Sequence, residues 1–221
     1  MTILPNNVAV IDGCSHHGIW CAAEGLIHDR FTSRLLREAI KQYEVKVCVD
    51  AGAHIGSLAR VMLDEGCKVH AFEPNPAAIE CLRHNCPEAI IHGYALSDQE
   101  GSVAYHSNIN SGAGHCEVND CPMITGGDLP MTTLDRFNIP AGLVKIDIEG
   151  FEVRMLKGAR KTIHDYAPVI LFEVNKGALE RAGSSDKELF QLIHELGYDI
   201  SILQPGLRFG DPQYDVIARP T

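Results

Sequence analysis

Two segments well separated in the chain carry residue types that can do chemistry. One is Val49-Asp50-Ala51-Gly52-Ala53-His54-Ile55-Gly56, the other Val144-Lys145-Ile146-Asp147-Ile148-Glu149-Gly150-Phe151-Glu152. Each reads as a buried strand ending in acids and glycine, and open α/β sheets bind small ligands at such strand ends. In the first, the glycines are four apart and an acid precedes them by two. A dinucleotide site has three glycines in the G-x-G-x-x-G spacing, the middle one making room for a pyrophosphate. Here residue 54 is His, which would crowd that approach, and Asp50 suits a cation better than a phosphate. S-adenosylmethionine carries an ammonium and a sulfonium and no phosphate, so it fits the acid and the turn at Gly52. An NAD-dependent oxidoreductase fails on the glycine spacing.

Glu73 lies 23 residues after Asp50, where an acid ending the next strand can accept both ribose hydroxyls. A surface acid near a helix N-terminus is the plainer account, since the helix dipole favours it. Its place before Pro74-Asn75-Pro76 fits both, and with Asp50 and Gly52 upstream the ribose contact is preferred. His54, Gly56 and Pro74 complete the expected cofactor-side turns. Ala95, Leu96, Ser97 and Asp98 end a third strand and are expected near the adenine.

In the second segment, alternation puts Lys145, Asp147 and Glu149 on one side and Val144, Ile146 and Ile148 on the other. A central parallel strand should be apolar on both faces. Such conflicts concentrate at functional sites. The plainer alternative is an ion pair of Lys145 with a neighbouring acid. Asp147 and Glu149 are expected at the carboxyl end of the strand, opposite the cofactor's methyl group. Asp147, Glu173 and Asn175 would suit Mg²⁺. The preferred reading has no metal, with Glu173 and Asn175 contacting substrate or capping their strand.

These residues need a frame, and apolar runs alternating with helical patterns supply one. Phe31, Leu35, Leu36, Ala39 and Ile40 form one helix face. Strands are expected at 45–50, 68–73 and 89–95, with helices at 55–64 and 76–85. Asn75 caps the latter and Pro76 opens it. Residues 102–106 alternate like a hairpin strand, whereas 107–128 is polar and glycine-rich with no period. A loop that long is uncommon unless it acts as a lid or is disordered, so it is read as a mobile substrate-side loop. A strand begins at 144 and a helix spans 153–165. A strand at 169–174, a helix stopped by Gly197 and strands at 198–203 and 214–218 complete the pattern. The expected fold is a Rossmann-like, mostly parallel seven-stranded sheet with helices on both faces. Residues 1–30 are a cover segment and 31–221 a single domain.

At 221 residues the chain has room for one α/β domain. Its net charge of −10 leaves no surplus of Lys and Arg for phosphates or an anionic membrane. No stretch approaches the roughly 20 apolar residues that span a bilayer, and residues 1–13 do not read as a signal peptide. A cytoplasmic location is expected. The eight cysteines read as reduced, small hydrophobic residues. Cys81 with Cys86 and Cys116 with Cys121 are spaced more widely than the tight pairs of most zinc sites, although His84 and His115 lie nearby. His16, His17 and Trp20 either line a substrate pocket or belong to the N-terminal cover. His194 reads as a surface or boundary residue.

The run from Val144 to Glu152, continuing through Met155-Leu156-Lys157-Gly158-Ala159, resembles the hallmark of the FkbM family of methyltransferases. The segment from Val49 to Gly56, Phe72-Glu73-Pro74, Ala95-Leu96-Ser97-Asp98 and Thr133-Leu134-Asp135 fall in that family's order. The resemblance covers about residues 45–175 and implies a Rossmann-like methyltransferase fold and S-adenosylmethionine-dependent O-methylation. Substrates in the family include hydroxyls of macrolides and sugars. The family usually has Asn where this chain has His54, so what the resemblance implies at 54 is backbone contact.

The expected function is O-methylation of a hydroxyl on a small molecule, sugar or polyketide. Asp147 and Glu149 are candidate bases, with Lys145 tuning or positioning them. N-methylation is weaker, because nucleobase amino-methylating enzymes commonly carry two prolines and an aromatic where this chain has Ile148-Glu149-Gly150. A binding or scaffold protein that has lost catalysis is the third reading, and the intact Asp50, Glu73 and Asp147 count against it. The oligomeric state and the acceptor are not encoded legibly.

Overall fold

A parallel strand apolar on both faces needs a helical layer on each side, and the central strands here have them. The computed structural model describes residues 1–11, 26, 30–106, 125–203, 207–209 and 211–221. The chain begins with a short antiparallel pair, β1 (Thr2–Ile3) and β2 (Ala9–Val10). Then come α1 (Arg30–Gln42), β3 (Val47–Ala51), α2 (Ser57–Asp64), β4 (Lys68–Phe72), α3 (Pro76–Asn85) and β5 (Ile90–His92). Three further strands follow: β6 (Ala95–Leu96), β7 (Gly101–His106) and β8 (Thr125–Thr132). A 3-10 turn at Leu134–Phe137 leads to β9 (Leu143–Ile146), α4 (Glu152–Lys157), α5 (Arg160–Tyr166) and β10 (Val169–Asn175). The last elements are α6 (Lys176–Arg181), α7 (Asp186–Glu195), β11 (Tyr198–Ile202) and β12 (Gln213–Pro220).

The main sheet has seven strands in the order β11-β12-β10-β9-β3-β4-β5. The run from β10 to β5 is parallel, and only β12 runs against its neighbours. From β3 the chain winds outward through β4 and β5, then returns to β9 on the other side. The order therefore reverses between β3 and β9, where ligands of open α/β sheets bind. Val49, Ala51, Val144, Ile146, Ile170 and Phe172 pack one face against Val153, Leu156, Ile163, Leu189 and Leu192 of α4, α5 and α7. Cys48, Val69, Ala71, Leu143 and Leu171 pack the other against Leu36, Ala39 and Ile40 of α1 and Ala59, Val61 and Met62 of α2.

Local signals in the sequence set several boundaries. The Asn75 side chain accepts a hydrogen bond from Ala77 N at 3.0 Å with Pro76 as the first helical residue. Cys48, Cys67, Cys81 and Cys86 are buried, reduced thiols. His84 reaches the Asn7 carbonyl at 3.1 Å rather than a cysteine, and His194 is exposed. Residues 16, 17, 20, 115, 116 and 121 lie outside the described residues.

Four expectations need correction. The strand expected over 89–95 ends at His92, and Ala95–Leu96 instead pairs in parallel with Met131–Thr132 in a separate three-stranded sheet, β6-β8-β7. Residues 125–128, expected to be loop, form the first half of β8, which pairs antiparallel with β7. The single helix expected over 153–165 is two, α4 and α5, separated by Gly158-Ala159. A Cβ on Gly158 would lie 2.0 Å from the Ser97 carbonyl oxygen. The break is enforced from outside: Asp135 accepts hydrogen bonds from Lys161 N (2.9 Å) and Thr162 N (2.7 Å), capping α5 with a side chain remote in sequence. Lastly, β9 ends at Ile146, so Asp147 and Glu149 lie beyond the strand.

Candidate active site

The site forms where β3 and β9 end side by side. Asp50 and Lys145 are register partners on these strands. Asp50 is 0% exposed and Lys145 5%. Lys145 Nζ lies 3.4 Å from Asp50 Oδ1 and 3.4 Å from Asp147 Oδ2, and donates to the Gly52 carbonyl at 3.4 Å. Burial alone would lower the Lys145 pKa, but Asp147 and Asp50 more than offset it and hold the ammonium above its ordinary value. Burial pushes Asp50 up, against the pull of Lys145. The ion pair expected as a structural alternative thus exists, and the same ammonium also holds Asp147.

The glycine turn is built around this junction. Gly52 has φ +82°, and a Cβ there would lie 1.9 Å from the Asp147 carbonyl oxygen. No other residue type fits. Gly52 N and Ala53 N both donate to the Phe72 carbonyl at 3.0 Å, tying the turn to β4. His54 adopts φ +50° and donates its N–H to Glu73 Oε2 at 2.9 Å. Its backbone is therefore what it brings to Glu73. Gly56 (φ +100°) lets α2 close on α3, where a Cβ would meet Cys86 Sγ at 2.7 Å.

Glu73 is buried at the end of β4, with Oε1 accepting from Asn75 N at 2.8 Å. Two backbone amides thus fix its rotamer, and each oxygen keeps a second lone pair. Burial raises its pKa to about 7 against the opposing hydrogen bonds. Glu73 N donates to the His92 carbonyl at 3.1 Å, so the end of β5 adjoins this acid and Pro74 beside it is half-buried. Ala95 is half-buried in the smaller sheet, and Leu96 is 2% exposed within the core.

Beyond β9 the backbone turns sharply. Glu149 and Gly150 have φ +54° and +107°, so strand alternation does not extend to Glu149. A Cβ on Gly150 would lie 2.3 Å from the Ala178 carbonyl oxygen. Carboxylate oxygens of Asp147, Glu149 and Glu173 nonetheless converge within 4.8 Å of one another, each residue half-buried. Among the described residues this is the one group of three or more His, Cys, Asp or Glu side chains close enough together to share a metal ion. Glu173 Oε1 accepts from Gln213 Nε2 at 2.7 Å. Asn175 accepts from Ala178 N at 3.1 Å and caps α6, so Glu149 stands in the trio where Asn175 was the sequence candidate.

Two observations bear on whether the residues fit S-adenosylmethionine. The Gly52 turn packs directly on the Asp147 backbone beyond β9, with no room for a side chain, and the Glu73 carboxylate is held fixed at the neighbouring strand end. Both fit a nucleoside cofactor at the ends of β3 and β4.

A doubly wound sheet with one reversed strand and acids at the ends of β3, β4 and β9 is the fold of the class I methyltransferases. The methyltransferase FkbM domain matches residues 50–200, and the chain belongs to that family. Hexuronic acid methyltransferase AglP of Haloferax volcanii is 28% identical over 173 residues, 73% of this chain and 66% of that enzyme. Methyltransferase FkbM from Methylobacillus flagellatus superposes with a TM-score of 0.52 at 20% identity, covering 78% of this chain and 43% of that one. A TehB-like S-adenosylmethionine-dependent methyltransferase from Corynebacterium glutamicum gives 0.55 at 14% identity, covering 95% and 98%. The chain thus spans just under two thirds of AglP and less than half of the Methylobacillus protein.

Proposed function

We propose that this chain transfers the methyl group of S-adenosylmethionine to a hydroxyl of a sugar or another small molecule. The observation that carries the reading is the meeting of Lys145, Asp50 and Asp147 at the switch point, with Glu149 and Glu173 beside Asp147. The relative AglP, named for action on a hexuronic acid, favours a sugar. S-adenosylmethionine supplies an electrophilic methyl on a sulfonium. Glu73 would bind the ribose hydroxyls, and the Gly52–Gly56 turn with Pro74 would bed the nucleoside.

With the cofactor held there, the acceptor oxygen would take the methyl carbon as the carbon–sulfur bond breaks. The hydroxyl proton passes to a carboxylate. An alcohol is a poor nucleophile, so a base within hydrogen-bond reach speeds the step, and alignment of oxygen, carbon and sulfur supplies much of the rest. Asp147 or Glu149 is the base. Lys145, with Nζ 3.4 Å from Asp147 Oδ2, holds that carboxylate in place.

The test is calorimetric titration with S-adenosylmethionine of wild type and Asp50→Ala, then mass spectrometry of a panel of neutral and acidic glycosides incubated with the cofactor. A mass gain of one methyl, lost in Asp147→Asn or Glu149→Gln, supports the reading. Full turnover in both variants overturns the base assignment. A well-folded wild type that binds no cofactor points to a scaffold. The carboxylate trio also favours a second reading in which a divalent cation binds and acidifies the hydroxyl; activity unchanged after exhaustive chelation removes it.

A further inference from the structure

We infer that Glu152, which touches none of the reacting groups, is a positioning residue that sets the geometry of Asp147 and Glu149. The inference rests on the reading of those two acids as facing the acceptor. Glu152 is the first residue of α4 and is 4% exposed, an unusual burial for a carboxylate. Its Oε1 accepts from Gly150 N at 3.1 Å. That amide belongs to the second of two successive left-handed residues, Glu149 and Gly150. A left-handed Glu is strained and persists only where its surroundings over-determine it.

Three contacts do so. Asp147 N donates to the Ala51 carbonyl at 3.0 Å and fixes the entry to the turn. Gly150 is wedged against the Ala178 backbone, where only a glycine fits. Glu152 closes the exit by holding the Gly150 amide from inside the protein. Between these points the chain has one path, and it turns Glu149 back so that its carboxylate lies within 4.8 Å of those of Asp147 and Glu173. Without the Glu152 acceptor, a buried amide loses its partner and Glu149 is free to relax toward ordinary backbone angles. The reacting carboxylates would then drift, and a displacement of 1 Å in such a group can cost about a hundredfold in rate.

The experiment compares Glu152→Gln, whose amide oxygen can still accept from Gly150 N, with Glu152→Ala. Hydrogen exchange of peptides covering 147–152 reads the turn directly and needs no acceptor. Faster exchange there in Glu152→Ala, with 169–172 unchanged and Glu152→Gln near wild type, is the expected result. On the glycoside of the panel that is turned over, Glu152→Ala should lower kcat about tenfold to a hundredfold. Its affinity for S-adenosylmethionine should be unchanged, and Glu152→Gln should restore most of the rate. Unchanged exchange at 147–152, or unchanged kcat despite faster exchange, overturns the inference. Should Glu152→Ala fail to fold, Glu152→Gln with slow exchange but a kcat as low as that of Asp147→Asn overturns it equally. Full turnover in Asp147→Asn and Glu149→Gln overturns instead the reading on which it rests.

Discussion

Asp50 and Lys145 face each other across the seam between β3 and β9, with Lys145 Nζ 3.4 Å from Asp50 Oδ1 and neither side chain open to water. A buried pair is costly to make and more costly to break from one side. Lys145→Met leaves Asp50 and Asp147 without their cation and should destabilise the protein by about 3–5 kcal/mol, read from urea unfolding at neutral pH. The double variant Asp50→Asn/Lys145→Met should recover much of that loss. Equal instability in the single and double variants would show that the ammonium is held by Asp147 and Gly52 rather than by Asp50.

Burial leaves Glu73 and Glu152 with pKa values of about 7, raised from an ordinary 4.5. A carboxyl whose folded pKa is raised binds its proton more tightly in the native state. Its contribution to stability is full below about 4.5 and is lost as the pH rises through about 7. In the absence of ligands, wild type should therefore lose stability relative to Glu73→Gln between about pH 5 and 8. Unfolding midpoints of the two proteins across that range give the difference directly. Parallel pH profiles would mean that the Asn75 and His54 amides outweigh burial and keep Glu73 ionised throughout.

The frame was legible because its signals are local. Asn75-Pro76 caps a helix in any context, and the runs at 47–51 and 169–175 are apolar enough to be central strands wherever they occur. The elements that were misread depend on partners remote in sequence. The break between α4 and α5 comes from Asp135 and from the Ser97 backbone beside Gly158. Ala95–Leu96 leaves the main sheet because Met131–Thr132 offers it a parallel partner. At the site, residue types and spacing pointed to Asp50, Glu73, Lys145 and Asp147. Alternation misplaced Glu149, since a strand pattern carries no warning of the left-handed turn after Ile146. Glu152 does not stand out as a site residue in the sequence, because an acid beginning a helix ordinarily serves the dipole from the surface. Its signals are a place at the end of the Val144–Glu152 run and an acid three residues before it, Glu149.

Gly52 and Gly183 make a controlled pair. Their φ values are close, +82° and +78°, but a Cβ on Gly52 would lie 1.9 Å from the Asp147 oxygen, whereas nothing lies within 4 Å of one on Gly183. Gly183→Ala should cost only the left-handed conformation, about 1 kcal/mol. Gly52→Ala adds a clash with backbone that cannot rotate away, so it should cost about 1–3 kcal/mol more and weaken S-adenosylmethionine binding. Melting temperatures and calorimetric titration of both variants check this. Equal losses would mean that the turn yields more readily than its contacts imply.

Asp135 belongs to the Thr133-Leu134-Asp135 segment, and its work in the structure is architectural. Its two oxygens accept from Thr162 N at 2.7 Å and Lys161 N at 2.9 Å, so one carboxylate satisfies two amides of the first turn of α5. A helix of seven residues cannot stand by its own propensity and depends on this cap and on the packing of Ile163. Asp135→Ala should therefore destabilise the domain by about 1–2 kcal/mol, whereas Asp135→Asn, which retains one acceptor oxygen, should lose less. Asp135 Oδ atoms contact α5 amides and none of Asp147, Glu149 or Glu173, so affinity for S-adenosylmethionine at a temperature well below melting should be unchanged in both. A loss of cofactor affinity larger than the loss of stability would move Asp135 from the scaffold to the site.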